Sequence, residues 1–195
     1  MGGLAGVAAL AALAAWALWP AADPAVAVPD RVCDDSLPGT LVSALLPERG
    51  EPFEEERFAY FGSRDVSAPG KCYLSGGGTR LGISYQHILS PEDFSPQDIE
   101  RSASGPGNRA VSLGSARGYA DSHSVSLFTS CRGEAGRETL VEVKTSVGSS
   151  GGDALKDEAT LAKAAALTAE TARSVTPRMN SCTAPPVPEG EPALG

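Results

Sequence analysis

The stretch Gly148-Ser149-Ser150-Gly151-Gly152 fits G-x-S-x-G, the pattern that sets a nucleophilic serine on a sharp turn between a strand and a helix. Such a serine needs a histidine to take its proton and an acid to orient that histidine, and in an α/β-hydrolase both follow the serine in the chain. Here the two histidines, His87 and His123, precede Ser150. The pattern therefore reads as a flexible Gly/Ser connection. His87 and His123 could instead join Asp121 or Glu54-Glu55-Glu56, because two imidazoles and a carboxylate suit a transition metal. No spacing forces them together, so exposed strand-end histidines and a solvated acidic run are expected. Gly76-Gly77-Gly78 lacks the Gly-Lys-Ser/Thr of a phosphate loop and reads as a hairpin tip. The chain's 24 Asp and Glu residues supply carboxylate pairs by chance, so no glycosidase pair stands out. No catalytic residue, metal ligand or cofactor is assigned.

Cysteine carries a different chemistry. Cys33, Cys72, Cys131 and Cys182 are even in number and widely spaced, without C-x-x-C or a histidine at zinc-ligand spacing. Two disulfides and an oxidising compartment follow. Of the three connectivities, Cys72–Cys131 with Cys33–Cys182 is expected: the first pair lies in apparent strands, and the second brackets a domain whose ends should be close.

The N-terminal segment points to the same compartment. Residues 4–19 contain no charged or polar side chain, and Pro20 ends the run; that is close to the roughly 20 residues that cross a bilayer core. Trp16 and Trp19 sit where an interfacial anchor would, which favours a retained membrane anchor. Ala25-Val26-Ala27 resembles a signal-peptidase site and keeps a cleaved signal open. No Lys or Arg precedes the run, so the natural start is expected upstream of Met1. Cys33 follows Asp30-Arg31-Val32, which is no lipobox. The expected location is the cell membrane, single-pass with the domain outside, or the medium. A net charge of -8 and a pI near 4.8 offer no electrostatic footprint for a nucleic-acid phosphate backbone or an anionic lipid surface, so no nucleic acid is expected as a partner.

The elements that would position these residues follow from periodicity. Residues 36–46 read as a short amphipathic helix stopped by Pro47, and the acidic stretch 48–57 leads into a strand at 58–61. Residues 71–75 and 79–86 form a hairpin with Leu81, Ile83 and Tyr85 on one face. Residues 90–108 are an irregular crossing with one helical turn. Strands are expected at 109–113, 116–119, 122–131 and 138–147, the last alternating Val141, Val143, Thr145 and Val147 with Glu142 and Lys144. After the breaker 148–152, an Ala-rich helix covers 153–175, with Leu155, Ala159, Ala162, Ala166 and Ala169 as its buried stripe and Pro177 as its stop. The Pro- and Glu-rich end is expected to be disordered. The organisation is a membrane segment (1–27), a linker (28–32), a disulfide-stapled domain (33–183) and a tail (184–195). The fold class is α+β: an antiparallel sheet with a short N-terminal and a long C-terminal helix on one face.

An Ala-rich export segment, Cys33 followed by Leu45-Leu46-Pro47, Cys72 before a strand, Ser-Leu-Phe-Thr-Ser-Cys at 126–131 and an Ala-rich helix before a last cysteine together resemble uncharacterised exported or membrane-anchored proteins of actinobacteria. The resemblance implies an extracytoplasmic domain and transfers no catalytic residue. The functional expectation is a non-catalytic binding or interaction module, held at the membrane by its N-terminal segment and facing an envelope protein or ligand. The alternative is a small secreted hydrolase using His123, Asp121 and a serine.

Overall fold

The computed structural model describes residues 23–58, 61, 68–90, 92, 94–133, 136–149, 152, 154–155, 157–179 and 182–195. The 4–19 run and Ser150 lie outside them; no described helix is long and apolar enough to cross a membrane. In chain order the elements are β1 (Arg31–Val32), β2 (Leu37–Pro38), α1 (Gly39–Ser43), β3 (Glu54–Phe58), β4 (Gly70–Gly76), β5 (Thr79–Ile88), α2 (Pro96–Ala103), β6 (Arg109–Leu113), β7 (Ala116–Ala120), β8 (Ser124–Gly133), β9 (Glu138–Ser149), α3 (Glu158–Val175), β10 (Cys182–Thr183) and β11 (Ala193–Leu194). The main sheet runs β11-β6-β7-β8-β9-β5-β4-β3, with β10 also on β8, and every pairing is antiparallel. The α+β class, the antiparallel sheet and the long C-terminal helix are as the sequence predicts.

Strand alternation sets the two faces. Leu81 pairs with Val147, Ile83 with Thr145 and Tyr85 with Val143, while Val125 and Leu127 of β8 meet Thr145 and Val143 from the other side. These side chains share one face and are all buried. Helix α3 lies over them against β8 and β9, and α1 leans on α3. Fully burying each such Leu, Val or Ile contributes about 1.5–3 kcal/mol, so this face holds most of the apolar stabilisation. The β4–β5 hairpin turns on Gly77 (φ 59) and Gly78 (φ 80). Two successive positive φ values are what a two-residue hairpin of the right twist requires, and glycine supplies them without strain.

Several expectations need correction. Helix α3 starts at Glu158, five residues later than predicted, because the Asp157 side chain accepts the Thr160 N–H at 2.8 Å and caps it there. Of the predicted stripe, Leu155 and Ala169 are buried as expected, whereas Ala159 and Ala162 are exposed; Leu161, Ala165, Thr168, Ala172 and Val175 are buried as well. Alanines offer little contrast between faces, so the few large residues decide which way the helix turns. The first helix is shortened to five residues, since Leu37–Pro38 pairs with Arg31–Val32 and Cys33, Asp34 and Asp35 form a left-handed turn with φ of 54, 56 and 57. The acidic stretch is itself a strand, β3, at the sheet edge, where charged side chains discourage further pairing. The end of the chain is ordered. Ala193 and Leu194 pair with Ser112 and Val111, and Arg173 donates to the carbonyls of Pro188 (3.0 Å) and Gly190 (2.6 Å). A cation on α3 thus satisfies carbonyls that a proline-rich segment cannot pair for itself.

The disulfide pairing also differs. Cys33 bonds to Cys72, with Cα atoms 5.7 Å apart, and Cys131 is disulfide-bonded as well. The expected Cys72–Cys131 bond is excluded by topology: β9 and β5 lie between β8 and β4. Three strand spacings amount to about 14 Å, twice the roughly 7 Å a disulfide spans. The expected Cys33–Cys182 bond fails because Cys33 is taken by Cys72, and the backbone of Cys182 pairs with Gly133 on β8.

Candidate functional site

The second face of the sheet is covered only in part. Helix α2, eight residues where one turn was expected, is capped by Ser95, whose N–H and Oγ both donate to Asp98 Oδ2 at 2.9 and 2.6 Å. It packs against β6 and β7 and puts Ile99 beside Phe128 and Leu140. The expectation of helices on one face alone is therefore corrected. In β8 and β9, Phe128 and Leu140 are out of phase with Leu127, Val141 and Val143, and so point away from the main core. Phe128 stacks on Phe94 and on Tyr119, with ring centroids 5.1 and 6.0 Å apart. The offset rings add specificity of orientation to their burial.

Beside this cluster the surface is hollow. One compartment of about 550 Å³ is walled by Ile88, Leu89, Phe94, Pro96 and Leu140, with Glu92, Arg137 and Glu138 at its rim. A second, of about 510 Å³, shares Ile88, Leu89 and Phe94 and continues to Tyr119, Phe128, Gln86, His87 and Glu142. Each lies within the size range of ligand sites. Leu89, at the shared wall, is 69% exposed, the most exposed large apolar residue described.

The polar end of the second compartment is built by register. Gln86 lies opposite Glu142, and Ser126 is on the neighbouring strand. Gln86 Nε2 donates to Glu142 Oε2 at 2.6 Å, and the fully buried Ser126 donates to Oε1 at 3.1 Å. The carboxylate is thereby fixed by neutral donors. Burial, and then the Glu142 charge, push the Tyr119 hydroxyl above the usual phenol range. His87 Nε2 lies 2.8 Å from Thr139 Oγ1, and that hydroxyl spends its own hydrogen on the Cys131 carbonyl at 3.0 Å. Thr139 must then accept, so Nε2 carries a proton and donates. Burial lowers the His87 pKa and favours the neutral ring.

The residues that could have formed a reactive centre are dispersed. His123 occupies the β7–β8 turn, where Ser122 Oγ is 2.7 Å from its Nδ1. The Asp121 carboxylate accepts the N–H groups of His123 and Ser124, both at 2.7 Å, and the Ser124 hydroxyl at 2.9 Å. Burial opposes that charge, yet these bonds and nearby Lys144 hold the Asp121 pKa below the usual carboxylate value. Asp121 thus organises a turn. The His123 carbonyl accepts from Val147, whereas His87 pairs with Val141, so the histidines sit at opposite ends of β9, about 20 Å apart at the rise of a strand. Glu54, Glu55 and Glu56 lie on β3 at the sheet edge, where Glu55 accepts the Cys33 N–H at 3.1 Å. Among the described residues no three His, Cys, Asp or Glu side chains converge on a metal position.

Sequence reasoning missed Gln86, Phe94, Tyr119, Ser126, Phe128 and Glu142. One signal was present: residues 124–129 are buried at every position, not at alternate ones, and an unbroken Ser-Val-Ser-Leu-Phe-Thr run suits a strand covered on both faces. Compared with protein-family models, with curated proteins and with solved structures, the chain matches none.

Proposed function

We propose that this chain is a non-catalytic binding module working outside the cytoplasmic membrane, tethered by the 4–19 segment or released after it, like the exported actinobacterial proteins it resembles. The single observation carrying the reading is the two-compartment groove, whose aromatic floor ends at a fixed carboxylate and whose wall carries an exposed leucine. Apolar walls with a few oriented polar groups are the usual makeup of a ligand site. Disulfide bonding supports an oxidising location.

The neutral apolar dye Nile red tests the groove. Its fluorescence with the full chain should fall several-fold in Leu89→Asp and stay unchanged in His123→Ala and Ser150→Ala. Equal fluorescence with Leu89→Asp places binding elsewhere. For location, protease added to intact cells should remove a tag placed at Gly195; protection until lysis contradicts export.

A further inference from the structure

We infer that the occupant of this groove is an extended, basic segment of a partner protein, carrying one apolar side chain for each compartment. The inference rests on the binding reading above and adds the chemistry of the partner. Charge is the first argument. Among the described residues that line it, the groove presents three carboxylates, Glu92 and Glu138 in the first compartment and Glu142 in the second, and one cation, Arg137. Glu142 is held by Gln86 and Ser126, which orient it without neutralising it. A cation arriving there meets a carboxylate that loses no side-chain freedom on binding, whereas an anion meets repulsion in a partly desolvated setting.

Shape is the second argument. The two compartments meet at Ile88, Leu89 and Phe94. In an extended peptide alternate side chains leave the same side about 7 Å apart, so two anchors of one short segment can enter adjoining compartments. The residues between and beyond them then reach the carboxylates of the two compartments. Leu89 would be covered by the backbone that crosses the shared wall.

The test uses the full 195-residue chain and three fluorescein-labelled pentapeptides, Lys-Phe-Lys-Leu-Lys, Ser-Phe-Ser-Leu-Ser and Glu-Phe-Glu-Leu-Glu, read by fluorescence anisotropy. The basic peptide should bind at least ten-fold more tightly than the acidic one and measurably more tightly than the serine one. Glu142→Gln should weaken the basic peptide about five-fold and leave the serine peptide unchanged. Leu89→Ser should weaken both. If basic and serine peptides bind equally and both respond to Leu89→Ser, the basic partner is refuted while the groove stands. If neither responds to Leu89→Ser, the groove reading falls too. Glu191→Gln, at an exposed carboxylate that lines neither compartment and follows Gly190, whose carbonyl accepts from Arg173 of α3, is the control: an effect as large as that of Glu142→Gln would reduce the selectivity to the overall negative charge and overturn the inference.

Discussion

Each face of the sheet buries a hydroxyl completely, and the two are treated in opposite ways. On the face under α3, Thr145 is fully buried and its Oγ1 has no hydrogen-bond partner among the described residues. On the other face, Ser126 is equally buried but donates to Glu142, which in turn holds Gln86. An orphaned hydroxyl costs about 1–3 kcal/mol and does nothing but fill space. A bonded hydroxyl that fixes a carboxylate beside a groove preserves an orientation. The first face is organised for stability, and the second keeps oriented polarity next to open apolar surface.

The sharpest test of that contrast compares two leucines. Leu127→Ala, under α3, should destabilise by about 2–5 kcal/mol, the usual range for a buried leucine, whereas Leu89→Ala should change stability by less than about 0.5 kcal/mol. Urea titrations of both variants check this. Similar losses would erase the difference between the faces. Next in size is the disulfide. Opening Cys33–Cys72, with its separation of 39 residues, should cost about 4 kcal/mol in the chain-entropy model. Non-reducing peptide mapping should recover a Cys33–Cys72 peptide; a Cys72–Cys131 peptide would contradict the strand order.

Why the sequence revealed the core face and not the groove follows from the same residues. Leu81, Ile83 and Tyr85, or Val141 and Val143, alternate strictly, so the closed face is visible as a period of two. The groove is assembled from out-of-phase residues, Phe128 on β8, Leu140 and Glu142 on β9, Gln86 and Ile88 on β5, which become neighbours only through the β8-β9-β5 order. That order is a long-range property, invisible to local periodicity. The cysteine pairing depended on it in the same way. The Ala-rich helix itself was legible, but its buried stripe was only partly so for another reason: its burial phase rests on Leu161, Leu167 and Val175, and the alanines around them are nearly neutral between faces.

Two smaller effects refine the comparison. Thr145→Val should stabilise by about 1 kcal/mol by removing the orphaned hydroxyl, read as a rise in melting temperature; a loss would show that the hydroxyl has a partner after all. For His87, burial lowers the folded-state pKa, so the folded protein takes up a proton less readily than the unfolded chain, whose histidine titrates near about 6.5. Its contribution is therefore complete above that pH and is lost as pH falls towards the folded value. Melting temperatures between pH 7.5 and 5 should decline less in His87→Gln than in the parent; equal slopes would assign the decline to other groups.

The most direct measurement of the division between the faces is a chemical-shift map of the full chain titrated with the Lys-Phe-Lys-Leu-Lys peptide. The account predicts perturbations at Gln86, Leu89, Phe94, Tyr119, Phe128 and Glu142, with Leu81, Leu127 and the residues of α3 unmoved. Perturbations centred on α3 or on Glu54, Glu55 and Glu56, with the groove silent, would contradict it.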